Sequence, residues 1–119
     1  MKLMKHILFD LIDCPQELLN EKEFIEDSLI NASIVSKSRY INVETHKFSP
    51  QGVTGYALLE ESHISIHTWP ELGLAKCDIF CCGDDAKPKE AVEYLHRRFK
   101  SKEVRRWVCE RSNKIITVL

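Results

Sequence analysis

No apolar stretch of this 119-residue sequence approaches the roughly 20 residues that a membrane-spanning helix requires. The apolar part of the N-terminus, residues 1–5, is too short for a signal peptide, so we expect a cytoplasmic protein without a membrane partner. The formal net charge is only −1 and there is no basic run or stripe. This balance argues against nucleic acid as the main partner.

A cysteine-based framework is not expected either. The sequence has five cysteines, and an odd number without an export signal argues against a set of disulfide bonds. There is no Cys-x-x-Cys pair, so a structural zinc site is not predicted. Four of the cysteines are interpreted as small buried hydrophobic residues: Cys14, Cys77, Cys81 and Cys109.

The length predicts one domain, spanning residues 1–119. With 44% hydrophobic residues the chain can bury a core, but a domain of this size leaves much apolar surface exposed. Pairing with a second copy would cover that surface, and an active site could then lie between the two subunits.

Hydrophobic periodicity predicts the element order β-α-β-β-β-β-α-β. The first strand has apolar residues on both sides, with Ile7, Phe9 and Leu11 opposite Leu8, so it is buried on both faces or lies at an interface. The first helix begins at Pro15 and runs to about residue 33. The remaining strands of this order are predicted over residues 39–48, 53–59, 62–69, 74–82 and 103–110, and the second helix over residues 88–100. A further short strand over residues 114–118 is left open.

Tight turns between consecutive strands predict an antiparallel sheet. Two amphipathic helices would cover one face of it, which gives an α+β two-layer sandwich. Residues 49–52 form a turn in which Gly52 can adopt a positive φ. Gly55, inside a strand, indicates a close approach of another backbone.

The most informative motif is the run Glu-Glu-Ser-His-Ile-Ser-Ile-His-Thr-Trp-Pro-Glu over residues 60–71. A Glu-Ser pair alone usually marks an exposed turn that enters a strand. An ordinary half-buried strand, however, needs neither Glu-Ser-His at one end nor His-Thr-Trp at the other. A reactive serine with a base nearby would account for both ends.

Four segments together cover nearly the whole sequence: residues 6–10 with the Asp13-Cys14 step, Phe48-x-Pro50-x-Gly52-Val53-Thr54-Gly55, residues 61–71, and Asp78-x-Phe80-x-Cys82-Gly83. In their order and spacing these segments resemble the bacterial and archaeal S-adenosylmethionine decarboxylases. The resemblance implies a proenzyme that cleaves itself between Glu61 and Ser62. The products would be a β chain, residues 1–61, and an α chain, residues 62–119, that begins with a pyruvoyl cofactor derived from Ser62.

The resemblance also implies roles in processing and catalysis. Ser62 would attack the carbonyl of Glu61, and the pyruvoyl group would later form a Schiff base with the substrate. His67 would move protons during processing, and Cys82 would donate a proton to the substrate. Thr54 would supply a hydroxyl where the family more often has serine. On an unbroken strand Ser62 and His67 face opposite sides, so either the backbone bends near Ser62 or His67 acts on a partner strand.

Phe48 and Glu71 match the family's nucleoside-binding positions. An aromatic ring can stack on adenine and on the sulfonium, and a carboxylate can accept hydrogen bonds from the ribose hydroxyls. Trp69 is interpreted as a packing residue at the strand end. The implied substrate is S-adenosylmethionine, the product would feed spermidine synthesis, and a homodimer of processed protomers is expected.

Two other functions remain open at this point. A relative could retain the pyruvoyl cofactor but decarboxylate arginine or ornithine, although such a substrate would need neither Phe48 nor Glu71. A non-catalytic subunit is the other possibility, but it would be expected to lose Ser62, His67 or Cys82.

A metal site is not expected from the histidines. His63 and His67 lie four residues apart on a strand, so their side chains project more than about 10 Å apart. The other histidines, His6, His46 and His96, are interpreted as surface or half-buried polar groups.

Overall fold

The computed structural model describes residues 3–83 and 85–112. Its elements are β1 (Leu3–Ile12), α1 (Gln16–Leu19), α2 (Lys22–Val35), β2 (Tyr40–Lys47), β3 (Val53–Leu59), β4 (Ser62–Trp69), β5 (Leu74–Cys82), α3 (Pro88–Arg98) and β6 (Glu103–Ser112), with a 3₁₀ turn at Pro70–Leu72. The further strand left open over residues 114–118 lies outside the described residues. None of the helices in the described ranges has the length and apolar character needed to cross a membrane.

The six strands form one antiparallel sheet in the order β2-β3-β4-β5-β1-β6. Helix α2 packs on β2 and β3, and α3 packs on β1 and β5, so both longer helices cover the same face. The predicted α+β two-layer sandwich is therefore confirmed. The opposite face of the sheet, called the open face below, has no helix of the described chain packed on it.

The core lies between the helices and the sheet. On β1, Ile7, Phe9 and Leu11 are fully buried, because alternate residues of a strand point to the same side. Helix α3 and the residue after it contribute Ala91, Val92, Leu95 and Phe99, as a 3.6-residue period predicts, and α2 contributes Ile25, Leu29 and Ala32.

The prediction of one continuous helix over residues 15–33 is wrong at its first turns. Helix α1 ends at Leu19, and α2 begins at Lys22 and continues to Val35. The reason is tertiary: the Asn20 side chain accepts a hydrogen bond from the backbone N–H of Gly52, at 2.9 Å. This contact holds the chain in a bend that the apolar stripe of a single helix cannot indicate.

Both glycine predictions agree with the backbone. Gly52 has a φ of 103°, and a Cβ there would lie 3.1 Å from the carbonyl oxygen of Thr68. A Cβ on Gly55 would lie 2.7 Å from Thr45 Cγ2 and 3.1 Å from a carbonyl oxygen of the neighbouring strand. Hence β3 can approach β2 this closely only without a side chain at Gly55.

The open face carries large apolar side chains that the single chain does not bury. Leu8 is 46% exposed, and Trp107, its neighbour across the β1–β6 ladder, is 55% exposed. Strand β1 is therefore buried on one side only. The exposed apolar residues of this face are Leu8, Tyr56, Leu58, Trp69 and Trp107.

Candidate functional site

The turn between β3 and β4 holds the dipeptide that the sequence marks for cleavage. Leu59 pairs with Ser62, so Glu60 and Glu61 form a two-residue connection. Glu61 has a φ of 60°, in the left-handed region that non-glycine residues rarely adopt. The backbone N–H of Glu60 donates to the carbonyl of Arg39 at 2.8 Å, which ties the turn to the segment before β2. Ser62 is thus held at the start of β4 and remains partly accessible.

Cys82 is the last residue of β5, and it lies at the same end of the sheet as Ser62, the first residue of β4. It is half-buried and shares the strand face of Asp78 and Phe80, as strand parity predicts, whereas Cys81 points into the core. Ser62 and Cys82 line one pocket of about 390 Å³, and we call this end the Ser62 half-site. The other residues that line it are Lys37, Ser38, Arg39, Glu60, Glu61, Gly83, Asp85 and Ala86.

The other predicted site residues meet at the opposite end of β3 and β4. Thr54 and His67 are partners across the β3–β4 ladder, with Thr54 Oγ1 3.0 Å from His67 Nδ1. They line a second pocket, of about 330 Å³, called the His67 half-site here. Its remaining lining residues are Phe48, Gln51, Gly52, Thr68, Trp69 and Glu71, so both predicted nucleoside-binding positions lie there.

Two residues that line the His67 half-site do not follow from the sequence motifs. Trp69, which the sequence assigns to packing, is partly exposed and lies in the pocket with Phe48 and Glu71. It is two residues after His67 on β4 and so lies on the same face of the sheet. This parity could have placed Trp69 beside His67 from the sequence alone. Gln51 lines the pocket from the turn, where no sequence period points to a function.

A buried hydrogen-bond frame supports the His67 half-site. The Thr68 hydroxyl accepts from the backbone N–H of Val53 at 2.8 Å and donates to the carbonyl of Leu19 at 2.7 Å. Together with the bond from Gly52 to Asn20, it joins the end of α1 to the start of β3 and to β4. The frame fixes the backbone from which the pocket side chains project.

Within one chain the two half-sites are far apart. Ser62 and His67 are five residues apart on β4, a separation of about 17 Å along a strand. They also differ in parity, since Ser62 shares the side of buried Ile64 while His67 is exposed on the open face. Strand β4 pairs with β3 in one continuous register from Ser62 to His67, so it contains no bend that would bring them together.

A third group of polar side chains lies on the open face between the half-sites. Asp78 Oδ2 is 2.6 Å from His6 Nε2 and 3.0 Å from His63 Nε2, and the Ser65 hydroxyl donates to Asp78 Oδ1. Burial by itself would raise the pKa of the Asp78 carboxyl, but hydrogen bonds from Ser65, His6 and His63 lower that pKa below its usual value. These residues come from three strands, so no spacing in the sequence links them.

Comparison with known proteins gives consistent results. A family model described as S-adenosylmethionine decarboxylase matches residues 5–112. A protein of Thermoanaerobacter pseudethanolicus named S-adenosylmethionine decarboxylase proenzyme is 41% identical over 119 aligned residues, which cover 96% of each chain. A protein of Methanococcus maripaludis with the same name is 48% identical over 99 residues, covering 83% of this chain and 81% of its own. The crystal structure of the adenosylmethionine decarboxylase from Aquifex aeolicus superposes with a TM-score of 0.86 at 35% identity, covering 98% of this chain and 97% of that one.

Proposed function

The chain belongs to the S-adenosylmethionine decarboxylase family and is an enzyme of that class, and we propose that it acts through a pyruvoyl group made from its own Ser62. The observation that carries this proposal is the geometry of the Glu61–Ser62 turn beside the pocket that contains Cys82. Arginine or ornithine decarboxylation is not favoured, because the relatives are named for S-adenosylmethionine.

Self-processing begins with Ser62 in this proposal. Its Oγ attacks the carbonyl carbon of Glu61, the Glu61–Ser62 C–N bond breaks, and an ester replaces the amide. Elimination then breaks the Cβ–O bond of Ser62 and releases residues 1–61 with a free carboxylate. Water displaces ammonia from residue 62, which leaves a pyruvoyl group at the start of residues 62–119. The left-handed φ of Glu61 costs about 1–2 kcal/mol, and cleavage would release that strain.

The residues around Ser62 fit such a group. A ketone at this position borders the 390 Å³ pocket, where a substrate amine can reach it. The pyruvoyl carbonyl supplies the electron sink that decarboxylation requires. Cys82 lines the same pocket, and its Sγ would deliver a proton to the substrate carbon that loses carbon dioxide.

His67 and Thr54 act as a pair in the proposal. Imidazole can take up and release a proton near neutral pH, and the 3.0 Å contact to Thr54 Oγ1 fixes the orientation of the ring. This pair would take the proton of Ser62 Oγ and return a proton during elimination. The hydroxyl of Thr54 retains the hydrogen bond that a serine would make.

The pocket of the His67 half-site would bind the nucleoside. Phe48 and Trp69 offer two aromatic faces for adenine and for the sulfonium, whose positive charge is attracted to a ring face. The Glu71 carboxylate on the same pocket can accept hydrogen bonds from both ribose hydroxyls. A free amino acid would use none of these groups.

A homodimer would unite the two half-sites. The separation of Ser62 and His67 along β4, about 17 Å, prevents them from meeting within one chain. Two copies that pack through their open faces would bury residues such as Leu8 and Trp107, and could set the Ser62 half-site of one against the His67 half-site of the other. We therefore propose that each active site contains residues of both protomers.

The biological setting is part of the same proposal. All five cysteines are unpaired, which is typical of a reducing compartment and supports a cytoplasmic location. Decarboxylated S-adenosylmethionine is an aminopropyl donor, so spermidine synthesis is the expected use of the product.

The intact mass of the purified protein under denaturing conditions tests the cofactor. We expect two fragments, residues 1–61 and residues 62–119, with the second blocked at its N-terminus by pyruvoyl. The Ser62→Ala variant should give one chain of full mass. A single uncut chain for the unaltered sequence would refute self-processing.

Co-expression of two inactive variants tests the shared active site. Ser62→Ala cannot form the cofactor, and His67→Ala should stall in processing. In a mixed dimer, Ser62 of one chain meets His67 of the other at one of the two sites. We therefore expect cleavage of the His67→Ala chain, and decarboxylase activity, only when both variants are expressed together with different tags. Failure to cleave in the mixture, with mixed dimers present, would mean that the site is not shared.

A further inference from the structure

The three polar side chains on the open face have the donor set of a metal centre. His6, His63 and Asp78 each offer one ligand atom, and these atoms lie within 4.8 Å of one another. Both Nε2 atoms approach the same carboxylate oxygen, at 2.6 and 3.0 Å. Two imidazoles with one carboxylate suit borderline divalent ions such as Zn²⁺.

The central strands of the sheet hold this arrangement. His6 on β1 and His63 on β4 are both paired with Phe80 of β5, so the two imidazoles flank that position. The Phe80 ring contacts both of them, edge-to-face with His6 at 5.7 Å and stacked with His63 at 6.2 Å between centroids. Their Nε2 atoms converge over Asp78, two residues before Phe80 on β5.

Ser65 orients the third ligand. Its hydroxyl donates to Asp78 Oδ1, which leaves Oδ2 as the oxygen directed at the imidazoles. Outer partners of this kind commonly fix a ligating carboxylate. The side chains of His6, His63 and Asp78 are 27%, 39% and 22% exposed, so an ion can reach them while losing part of its water.

We propose that His6 Nε2, His63 Nε2 and Asp78 Oδ2 bind a divalent transition-metal ion of the Zn²⁺ class, at a site separate from both half-sites. A tetrahedral ion with bonds of about 2.0–2.1 Å separates its ligands by about 3.3 Å. The two Nε2–Oδ2 pairs, at 2.6 and 3.0 Å, need to open by less than about 1 Å to accept it. In the single chain a fourth position is open to water, and in the proposed dimer that position faces the open face of the partner protomer.

One neighbouring charge opposes the ion. The guanidinium of Arg111 lies over Phe80, 5.6 Å from the ring centre. Asp78 contacts both imidazoles directly, whereas the contact of Arg111 is with the ring of Phe80. We expect Arg111 to weaken metal affinity without preventing binding, so Arg111→Gln should bind the ion more tightly.

A calorimetric titration of the chelator-treated full chain with Zn²⁺ tests the site. We expect about one ion per chain, and a loss of at least about tenfold in affinity for each of His6→Ala, His63→Ala and Asp78→Asn. Ser65→Ala should weaken binding by about tenfold, as a lost outer partner does. His46→Ala is the matched control, because it removes an imidazole from the same sheet but leaves the three ligands. Circular dichroism verifies that each variant is folded.

Two further measurements distinguish this site from ligation by a cysteine and from an effect of self-processing. Co²⁺ bound by two imidazoles and a carboxylate gives weak visible bands, whereas thiolate ligation adds an intense near-ultraviolet band that would implicate a cysteine. The uncut Ser62→Ala chain retains all three ligands and should bind Zn²⁺ like the unaltered protein, so the result does not depend on self-processing. Absence of stoichiometric binding, or equal affinity in Asp78→Asn, would overturn the proposal.

Discussion

At Thr54 a side-chain hydroxyl lies 3.0 Å from His67 Nδ1, and it carries a methyl group that a serine would not. Thr54→Val retains the branched shape but removes the hydroxyl, so His67 loses the partner that orients it. We expect self-cleavage to slow by at least about tenfold, within the range that positioned proton transfer contributes. A time course of fragment appearance by mass spectrometry measures this rate.

Thr54→Ser is the matched control, since it retains the hydroxyl. It should cleave at least as fast as the unaltered chain, because the hydroxyl that contacts His67 Nδ1 is kept. Cleavage of Thr54→Val at the unaltered rate would exclude Thr54 from processing.

Cys14 provides a prediction about alkaline stability. Burial, reinforced by the neighbouring Asp13 carboxylate, raises the pKa of its thiol to about 11. In the unfolded chain the thiol ionises near its usual pKa of about 8.5. The folded state therefore retains the proton to a higher pH than the unfolded state does. The resulting contribution of Cys14 to stability is complete below about pH 8.5 and is lost as the pH rises through about 11.

The free energy of unfolding, measured by urea titration from about pH 8 to about pH 11, tests this sign. The unaltered chain should lose more stability over that range than Cys14→Ala, which has no thiol to ionise. Parallel curves for the two proteins would contradict the assignment.

At the scale of elements, hydrogen bonds from the end of the short helix α1 hold the turn between β2 and β3 in place. Thr68→Val keeps the size of the side chain but leaves the buried N–H of Val53 and the carbonyl of Leu19 without this partner. We expect a loss of about 1–3 kcal/mol in stability. Because the turn carries Phe48, the KM for S-adenosylmethionine should rise by a larger factor than kcat falls.

Thr68→Ser supplies the corresponding control, since its hydroxyl can make both hydrogen bonds. It should restore KM and most of the stability. If kcat fell in Thr68→Val while KM stayed constant, the frame would act on the chemical step rather than on the nucleoside pocket.

For the whole molecule, the proposed homodimer leads to a prediction about the open face. Leu8→Lys places a charge in the middle of this face, next to Trp107 on β6. Leu8 is already 46% exposed in the single chain, so the folded monomer tolerates the change, whereas a face-to-face dimer would bury the charge. We expect a monomer by sedimentation that remains folded and uncut.

Ile34→Lys is the control for that experiment. Ile34 is 62% exposed on α2, on the helical side of the molecule, and the same change there should leave both dimer and cleavage intact. A dimer of Leu8→Lys that cleaves normally would place the interface elsewhere.

Local patterns in the sequence determined most of the elements and the buried face of the central strands. They failed at the first helix, which is divided in two, and at Cys109 on β6, which is exposed rather than buried. The alternation in β1, β4 and β5 and the stripe of α3 follow from strand and helix periods, which depend only on neighbouring residues. Parity alone put Cys82 on the face of Asp78. The motif around Ser62 marked the Glu61–Ser62 turn as the proposed cleavage site and, with three other segments, indicated the family.

What the sequence could not determine depends on contacts between distant segments. The bend at Asn20 comes from Gly52, 32 residues away, and the convergence of His6, His63 and Asp78 comes from the register of three strands. The sequence also left open whether β4 bends near Ser62. The continuous register between β3 and β4 shows that it does not, and this keeps the two half-sites apart.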